Sequence, residues 1–172
     1  MTLSIIPAVN ADIADLHPVI ERAYRGDAAR TGWTHEADLL EGERTDPDTL
    51  VAILRDPASQ LLIARDGDRV IGCVQITDKG DGLAYLGLLC IDPVLQAGGL
   101  GKQLIAAAER HASATFGATA MEMTVIQQRL ELIAYYERRG YAATGEIRDF
   151  PIVLTPPFFM TVLSKPLEQD SA

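Results

Sequence analysis

The chain has 172 residues with 15 Lys and Arg against 24 Asp and Glu. Its formal net charge of −9 at pH 7 argues against non-specific nucleic-acid binding, which needs a cationic face. This length predicts one domain over residues 1–172, and 48% apolar residues are typical of a folded chain. Neither a signal peptide nor a membrane helix is expected, and Cys73 and Cys90, isolated in apolar surroundings, indicate reduced thiols in a cytoplasmic protein.

The N-terminal third reads as one strand followed by helices. Residues 3–9 predict a strand, and Asn10-Ala11-Asp12 offers capping groups for a helix whose apolar positions recur every three to four residues (Ile13, Leu16, Ile20, Tyr24). Residues 26–32 predict a loop, and a second helical stretch follows Trp33-Thr34-His35-Glu36. Asp46-Pro47-Asp48 then places an N-cap before a proline, which predicts the start of another helix.

The remainder predicts a sheet interrupted by two helices. Strands are expected at 61–65 and 70–77, joined by the turn Asp66-Gly67-Asp68, and at 83–91, whose apolar run indicates a central position. A helix at 99–116, a strand at 120–125, a helix at 130–139 and strands at 142–147 and 159–164 follow, with a flexible tail at 165–172. Antiparallel strands followed by a strand–helix–strand crossover predict an α/β (α+β) fold with a mixed sheet.

A glycine-rich loop follows the central predicted strand. Pro93 ends the strand, and three glycines (Gly98, Gly99 and Gly101) then open a helix, an arrangement that favours an anion site. A Walker loop would need glycine at 96 and Ser or Thr at 103, but both positions hold Gln. A dinucleotide fingerprint would need Gly or Ala at 104, where Leu104 stands.

The spacing that does fit is Gln96-x-x-Gly99-x-Gly101 after Ile91-Asp92-Pro93, which resembles the GCN5-related N-acetyltransferase (GNAT) superfamily. The resemblance implies that the loop amides hold the pyrophosphate of coenzyme A and that its pantetheine arm pairs with the strand before the loop. The implied cofactor-binding residues are Leu89, Cys90, Ile91, Gln96, Ala97, Gly98, Gly99, Leu100, Gly101 and Lys102. The alternative is a glycine turn that only closes a strand–helix corner.

A second motif of the same family is matched by Tyr136-Glu137-Arg138-Arg139-Gly140-Tyr141. The resemblance implies that Tyr136 is the general acid for the departing thiolate, because a phenol of pKa about 10 stays protonated at neutral pH. Tyr135 and Tyr136 could instead be core aromatics. Many members carry Asn where this chain has Arg129, so Arg129 either binds a phosphate or cofactor edge or faces solvent.

The acceptor amine must lose a proton before it attacks, which calls for a base. Some family members use a glutamate on the fourth or fifth strand, and others use water. The family position on the fifth strand is Thr124 here, and its neighbour on the same face is Glu122 if Met121, Met123 and Val125 face the core. Glu122 is therefore the candidate base, with a solvated strand-end carboxylate as the alternative.

The acceptor wall is expected in the helices after the first strand, as in the family. Candidate substrate-binding residues there are Tyr24, Arg25, Trp33 and Glu36. Residues 36–48 carry a net charge of −5, which would attract a cationic amine but could equally be a solvated helix face.

The resemblance as a whole implies a mostly antiparallel sheet of six to seven strands with about four helices on its two faces. It implies direct transfer of acetyl from acetyl-CoA to a primary amine of a small molecule or peptide, without a metal. Two alternatives stay open: an acyl-CoA-binding module without catalysis, and an enzyme with another acyl donor or an oxygen acceptor. Nucleic-acid and membrane partners are not expected, and a homodimer is left open.

Overall fold

The computed structural model describes residues 2–24, 45–93, 95, 99–151 and 157–168. The predicted loop at 26–32 and the helical stretch after Glu36 lie outside these ranges. Within them the strands are β1 Leu3–Pro7, β2 Ser59–Asp66, β3 Arg69–Gly80, β4 Leu83–Ile91, β5 Ala120–Ile126, β6 Ala142–Asp149 and β7 Phe159–Pro166. The helices are α1 Ile13–Tyr24, α2 Pro47–Arg55, α3 Leu100–Phe116 and α4 Leu130–Arg138. None of these helices is long and apolar enough to cross a membrane.

The strands form one seven-stranded sheet in the order β1-β2-β3-β4-β5-β7-β6. All neighbours pair antiparallel except β4 and β5, which are parallel and are connected through α3. The predicted mixed, mostly antiparallel sheet is therefore confirmed, and β4 lies at its centre as its apolar run predicts.

Each face of the sheet carries its own hydrophobic core. One core packs α3 and α4 against the sheet and includes Leu104, Ala108 and Tyr136; we call this side the α3/α4 face. The other packs α1 and α2 and includes Leu16, Ile20 and Leu50; we call this side the α1/α2 face. The apolar positions of α1 that recur every three to four residues are buried, which explains why this stretch is stable as a helix.

Strand β4 contains a bulge that shifts the alternation of its side chains between the two faces of the sheet by one residue. Cys73 and Gln75 of β3 are partnered by Cys90 and Gly87, so β4 has one residue more than β3 over this interval. Leu86 accordingly lies in the α3/α4 core, Leu88 in the α1/α2 core, and Leu89 in the α3/α4 core again. Leu88 has a φ of 49°, a left-handed conformation that costs about 1 kcal/mol in a non-glycine residue. The bulge cannot be predicted from the sequence, because both faces of β4 are buried and its residues are therefore apolar on either side of the bulge.

The C-terminal end corrects one expectation. Lys165 and Pro166 belong to β7, Leu167 packs against the α3/α4 core, and the Leu167 amide donates to the carbonyl of Thr119 at 2.8 Å. The prediction of a flexible tail was therefore wrong for residues 165–168, because Leu167 buries an apolar side chain there. Residues 169–172 lie outside the described ranges.

The N-cap of α2 makes a testable contribution to stability. The Asp46 carboxylate accepts a hydrogen bond from the Thr49 amide at 2.7 Å, and this bond lowers the pKa of Asp46. We expect Asp46→Ala to lower Tm by about 3 °C at pH 7, whereas Asp46→Asn, which still caps, stays near wild type. Because the pKa of Asp46 is lower in the folded than in the unfolded protein, the cap stabilises the fold fully above the unfolded-state pKa and loses this effect as the carboxylate is protonated at acid pH. The difference in Tm between wild type and Asp46→Ala should therefore shrink below about pH 3. Equal Tm values at pH 7 would contradict this role.

Candidate active site

The centre of the sheet is open between β4 and β5. Both strands are fully described, and they pair with each other only where Leu83–Tyr85 of β4 lies beside Ala120–Glu122 of β5. The last paired residues are Tyr85 and Glu122. Residues 86–91 of β4 and 123–126 of β5 continue beyond this point without pairing to each other. We call this gap the strand opening. It exposes main-chain groups on two strand edges inside the protein, where an extended ligand could bind like an added strand.

The bulge in β4 lies on one wall of the strand opening. The Sγ of Cys73 donates to the carbonyl of Leu88 at 3.4 Å, and the hydroxyl of Tyr24 donates to the carbonyl of Leu89. Because N–H and C=O point in opposite directions across a trans peptide, the amide of Leu89 points away from the Cys73 sulfur. Tyr24, expected on the acceptor wall, is thus buried against β4 and helps to fix the bulge.

The first turn of α3 lies beside the end of β4. Gly99 precedes the helix with a φ of 76°, and space is open around it. A Cβ on Gly101 would lie 2.6 Å from the Tyr135 hydroxyl and 2.9 Å from Cδ1 of Ile91, so any larger residue here forces these two side chains to move. Lys102 is exposed, whereas Gln96, Ala97 and Gly98 lie outside the described residues. Gly101 therefore brings α3, β4 and α4 together at one point.

Tyr136 of α4 is buried in the α3/α4 core, 6% exposed, with its ring edge-on to the rings of Tyr135 and Tyr141. Within the described residues its hydroxyl takes part in no hydrogen bond. Burial raises the pKa of Tyr136 well above that of a free phenol, an effect that the nearby charge of Arg129 opposes. The hydroxyl is therefore a protonated donor that has no partner among the residues the structure describes.

Glu122 is the buried carboxylate of β5, and its two oxygens each accept a hydrogen bond from the guanidinium of Arg148 at 3.1 Å. Met121, Met123 and Val125 lie in the α3/α4 core, so Glu122 and Thr124 share the opposite face as the alternation predicts. Arg148 belongs to β6, which is separated from β5 by β7. The carboxylate is thus held on the side of β5 away from the strand opening.

Two hydroxyls cross the strand opening on the α1/α2 face. The Oη of Tyr85 lies 2.5 Å from the Oγ1 of Thr124, and both residues are half-buried. The Tyr85 ring lies along β4 over Gly87, where an added Cβ would stand 3.2 Å from the ring. Sequence reasoning missed Tyr85, although its place between the apolar Ala84 and Leu86 shows that it faces the opposite side of β4.

The arrangement fits coenzyme A in three respects. Leu89, Cys90 and Ile91 lie on an edge of β4 that does not pair with β5, as an extended arm would need, and the helix start at Leu100 offers amides to an anion. Tyr136, whose hydroxyl has no hydrogen-bond partner within the described ranges, packs in the same core as Leu89, Ile91 and Leu100. Across the described ranges no three or more His, Cys, Asp or Glu side chains lie together as they would around a metal ion. Arg25, Trp33 and Glu36 of the expected acceptor wall lie outside those ranges.

Solved structures share this fold. The ribosomal-protein-S18-alanine N-acetyltransferase from Escherichia coli is 15% identical, with 99% of this chain and 97% of that chain covered at a TM-score of 0.75. The yncA protein of Salmonella typhimurium, solved with its cofactor acetyl-CoA, is 18% identical, with 100% and 98% covered at a TM-score of 0.74. A chimera of the spermidine N-acetyltransferase SpeG from Vibrio cholerae and hSSAT is 15% identical, with 96% of each chain covered at a TM-score of 0.73.

At these identities the solved structures establish the fold alone. No curated protein matches the sequence significantly. The profile of the Acetyltransferase (GNAT) family matches residues 20–141, which include β4, the glycine loop, the strand opening and the tyrosine motif. The chain therefore belongs to the GNAT acetyltransferase family.

Proposed function

We propose that this protein is a single-domain cytoplasmic N-acetyltransferase, which transfers acetyl from acetyl-CoA to a primary amine of a small molecule or peptide without a covalent enzyme intermediate. The observation that carries the proposal is the buried Tyr136 hydroxyl, without a partner among the described residues, beside an open sheet and a helix N-terminus. The chain's family and the amine acceptors named for the SpeG and S18-alanine enzymes support it. Cys73 and Cys90 are free, as in a reducing compartment.

Two segments would hold acetyl-CoA. Residues 96–102 would bind the pyrophosphate, since the start of α3 directs amides and a partial positive charge outward and its first turn has no acidic residue. Leu89, Cys90 and Ile91 would bind the pantetheine arm along the strand opening, with Arg129 near the cofactor. Bound acetyl-CoA supplies the thioester whose carbonyl carbon is attacked.

Transfer needs a donor for the carbonyl oxygen and a proton for the sulfur. The Leu89 amide is the candidate donor, because the bulge turns it away from the Cys73 sulfur. As the amine nitrogen bonds to the carbonyl carbon and the carbon–sulfur bond breaks, Tyr136 gives its proton to the sulfur and regains one from solvent. An alkylammonium releases two protons to solvent in becoming an amide; one balances the proton that Tyr136 takes up again, so that one proton is released overall.

The proposed general base and the proposed acceptor-binding residues are those that the sequence pattern predicts. Glu122 stays a predicted base: each of its oxygens accepts one bond from Arg148 and keeps a second lone pair. Tyr24, Arg25, Trp33 and Glu36 stay the predicted acceptor-binding residues. Of these, Tyr24 donates its hydroxyl to the Leu89 carbonyl, next to the proposed cofactor arm.

The proposal is tested by incubating the protein with acetyl-CoA and a panel of amines and measuring free thiol. The panel contains polyamines, amino acids, aminoglycosides and peptides with free N-termini, and product mass identifies the acetylated nitrogen. We expect thiol release that depends on one class of amine. Coenzyme A binding without thiol release across the panel would indicate a binding module, and release only with longer acyl donors or alcohols would indicate another acyltransferase.

A further inference from the structure

The strand opening has different chemistry on its two sides. Tyr136 approaches from the α3/α4 face, where the helix start at Leu100 also lies. Tyr85 and Thr124 lie on the opposite face, toward α1 and α2, because their strand neighbours point into the α3/α4 core. A thioester in the opening would therefore have the proton donor for its sulfur on one side and a pair of hydroxyls on the other.

The hydroxyl pair lies where backbone pairing ends. Tyr85 and Glu122 form the last pair of β4 and β5, and Thr124 is the next residue of β5 on the same face. The Tyr85 side chain therefore spans the two strands just inside the opening, and its bond to Thr124 fixes its hydroxyl there at 2.5 Å. Both side chains are half-buried, so a ligand on the α1/α2 face can reach them.

We infer that Tyr85 and Thr124 contact the acceptor amine and relay its proton to solvent. The inference rests on the proposed function. The ammonium of the acceptor gives a proton to the oxygen of one hydroxyl while that hydroxyl passes its own proton to the second, which gives a proton to water. No net charge stays on the pair, and the neutral amine is left facing the carbonyl carbon.

The other polar groups around the pair are occupied or lie across the opening. Glu122 and Arg148 neutralise each other on the same face, with the carboxylate drawn toward β6. Tyr136 lies close enough to sense Tyr85 electrostatically, but it belongs to the α3/α4 face. The Tyr24 hydroxyl, which also comes from the α1/α2 side, is engaged by the Leu89 carbonyl. The Tyr85–Thr124 pair is thus a polar group placed where the opening begins on the α1/α2 face.

The test compares Thr124→Val with Thr124→Ser, using the amine that gives the fastest thiol release. The Val variant keeps the shape but loses the hydroxyl, whereas the Ser variant keeps the hydroxyl. We expect Thr124→Val and Tyr85→Phe each to lower kcat/KM for the amine at pH 7 by about 10- to 100-fold, with KM for acetyl-CoA unchanged, and Thr124→Ser to stay within about threefold of wild type. The double variant should lose little more than either single one, because a relay needs both hydroxyls.

The pH profile separates a relay from a packing role. The deficit should shrink as pH rises toward about 10, where the amine is already neutral in solution. A deficit that is constant with pH, or a Thr124→Val variant of full activity beside an inactive Glu122→Gln variant, would overturn the relay and leave the acetyltransferase intact. Wild-type protein that acetylates no amine would overturn the proposed function and the relay with it. Thermal unfolding of each variant confirms that it is folded.

Discussion

Tyr136→Phe is expected to lower kcat for acetyl transfer by about 100-fold at pH 7, within the range typical of a lost general acid. The variant keeps the ring that packs edge-on against Tyr135 and Tyr141 and removes only the hydroxyl, so folding and KM for acetyl-CoA should change little. Steady-state kinetics with free thiol as the readout measure both constants. An unchanged kcat would remove the acid role from Tyr136 without excluding catalysis by other groups.

The wild-type pH profile provides an independent check on the same residue. Burial raises the pKa of Tyr136, so the proton that it donates is present below that raised value and is lost only as pH climbs through it. We therefore expect no alkaline loss of kcat up to about pH 10, the value for a free phenol. A fall in kcat between pH 8 and about 9, absent from Tyr136→Phe, would contradict this assignment.

Tyr141→Phe is the matched control. Its hydroxyl is also mostly buried, but it donates to Glu109 of α3 at 3.0 Å, and Lys165 donates to the same carboxylate. Loss of this hydroxyl should lower Tm while kcat stays near wild type. A large loss of kcat in Tyr141→Phe would show that removal of any buried tyrosine hydroxyl near α4 disturbs the site.

Gly101→Ala is expected to raise KM for acetyl-CoA by at least about 10-fold. In an ordinary helix the change would be stabilising by about 1 kcal/mol, but here the new methyl group would collide with the Tyr135 hydroxyl and the Ile91 side chain. The Tyr135 hydroxyl and the end of the Ile91 side chain must therefore shift, and Ile91 is one of the proposed cofactor contacts. The strain should also lower stability by about 1–3 kcal/mol, which denaturant unfolding measures.

Two further variants separate collision from a general effect of altering the glycine loop. Gly99→Ala adds a methyl group in open space, but at a φ of 76°, so it should cost about 1 kcal/mol of backbone strain. Combining Gly101→Ala with Tyr135→Phe removes the closest clashing atom and should recover part of the lost affinity. If Gly101→Ala binds acetyl-CoA as wild type does, the close approach of α4 to the loop has no part in binding.

The sequence predicted those parts of the fold that depend on local pattern. Asp46 before Pro47 specifies where α2 begins, and the alternation of Met121 and Met123 with Glu122 assigns the faces of β5. The glycine spacing and Tyr136 were recognisable because they recur together in one family. Each of these features is set by residues close together in the chain.

The features that escaped prediction are set by residues far apart in the chain. The bond between Tyr85 and Thr124 depends on β4 and β5 being neighbours, which a strand order with one parallel pair decides. Arg148 reaches Glu122 across β7 for the same reason. The bulge at Leu88 was concealed because an apolar run carries no sign of a residue that changes face. Leu167 was assigned to a tail because a short apolar stretch near a chain end carries no periodic signal.

The strand opening also has a consequence for aggregation. A sheet normally has two edges, but this one has two more, on residues 86–91 and 123–126, whose main-chain groups are not paired across the gap. Exposed strand edges recruit other strands, and proteins usually guard them with charge or proline. Here the protection is steric, since the inner edges face each other between two helix-covered faces, where another sheet cannot approach. The proposed pantetheine arm is a single narrow, unbranched chain, so the same geometry that hinders pairing with another sheet would favour a ligand of that shape.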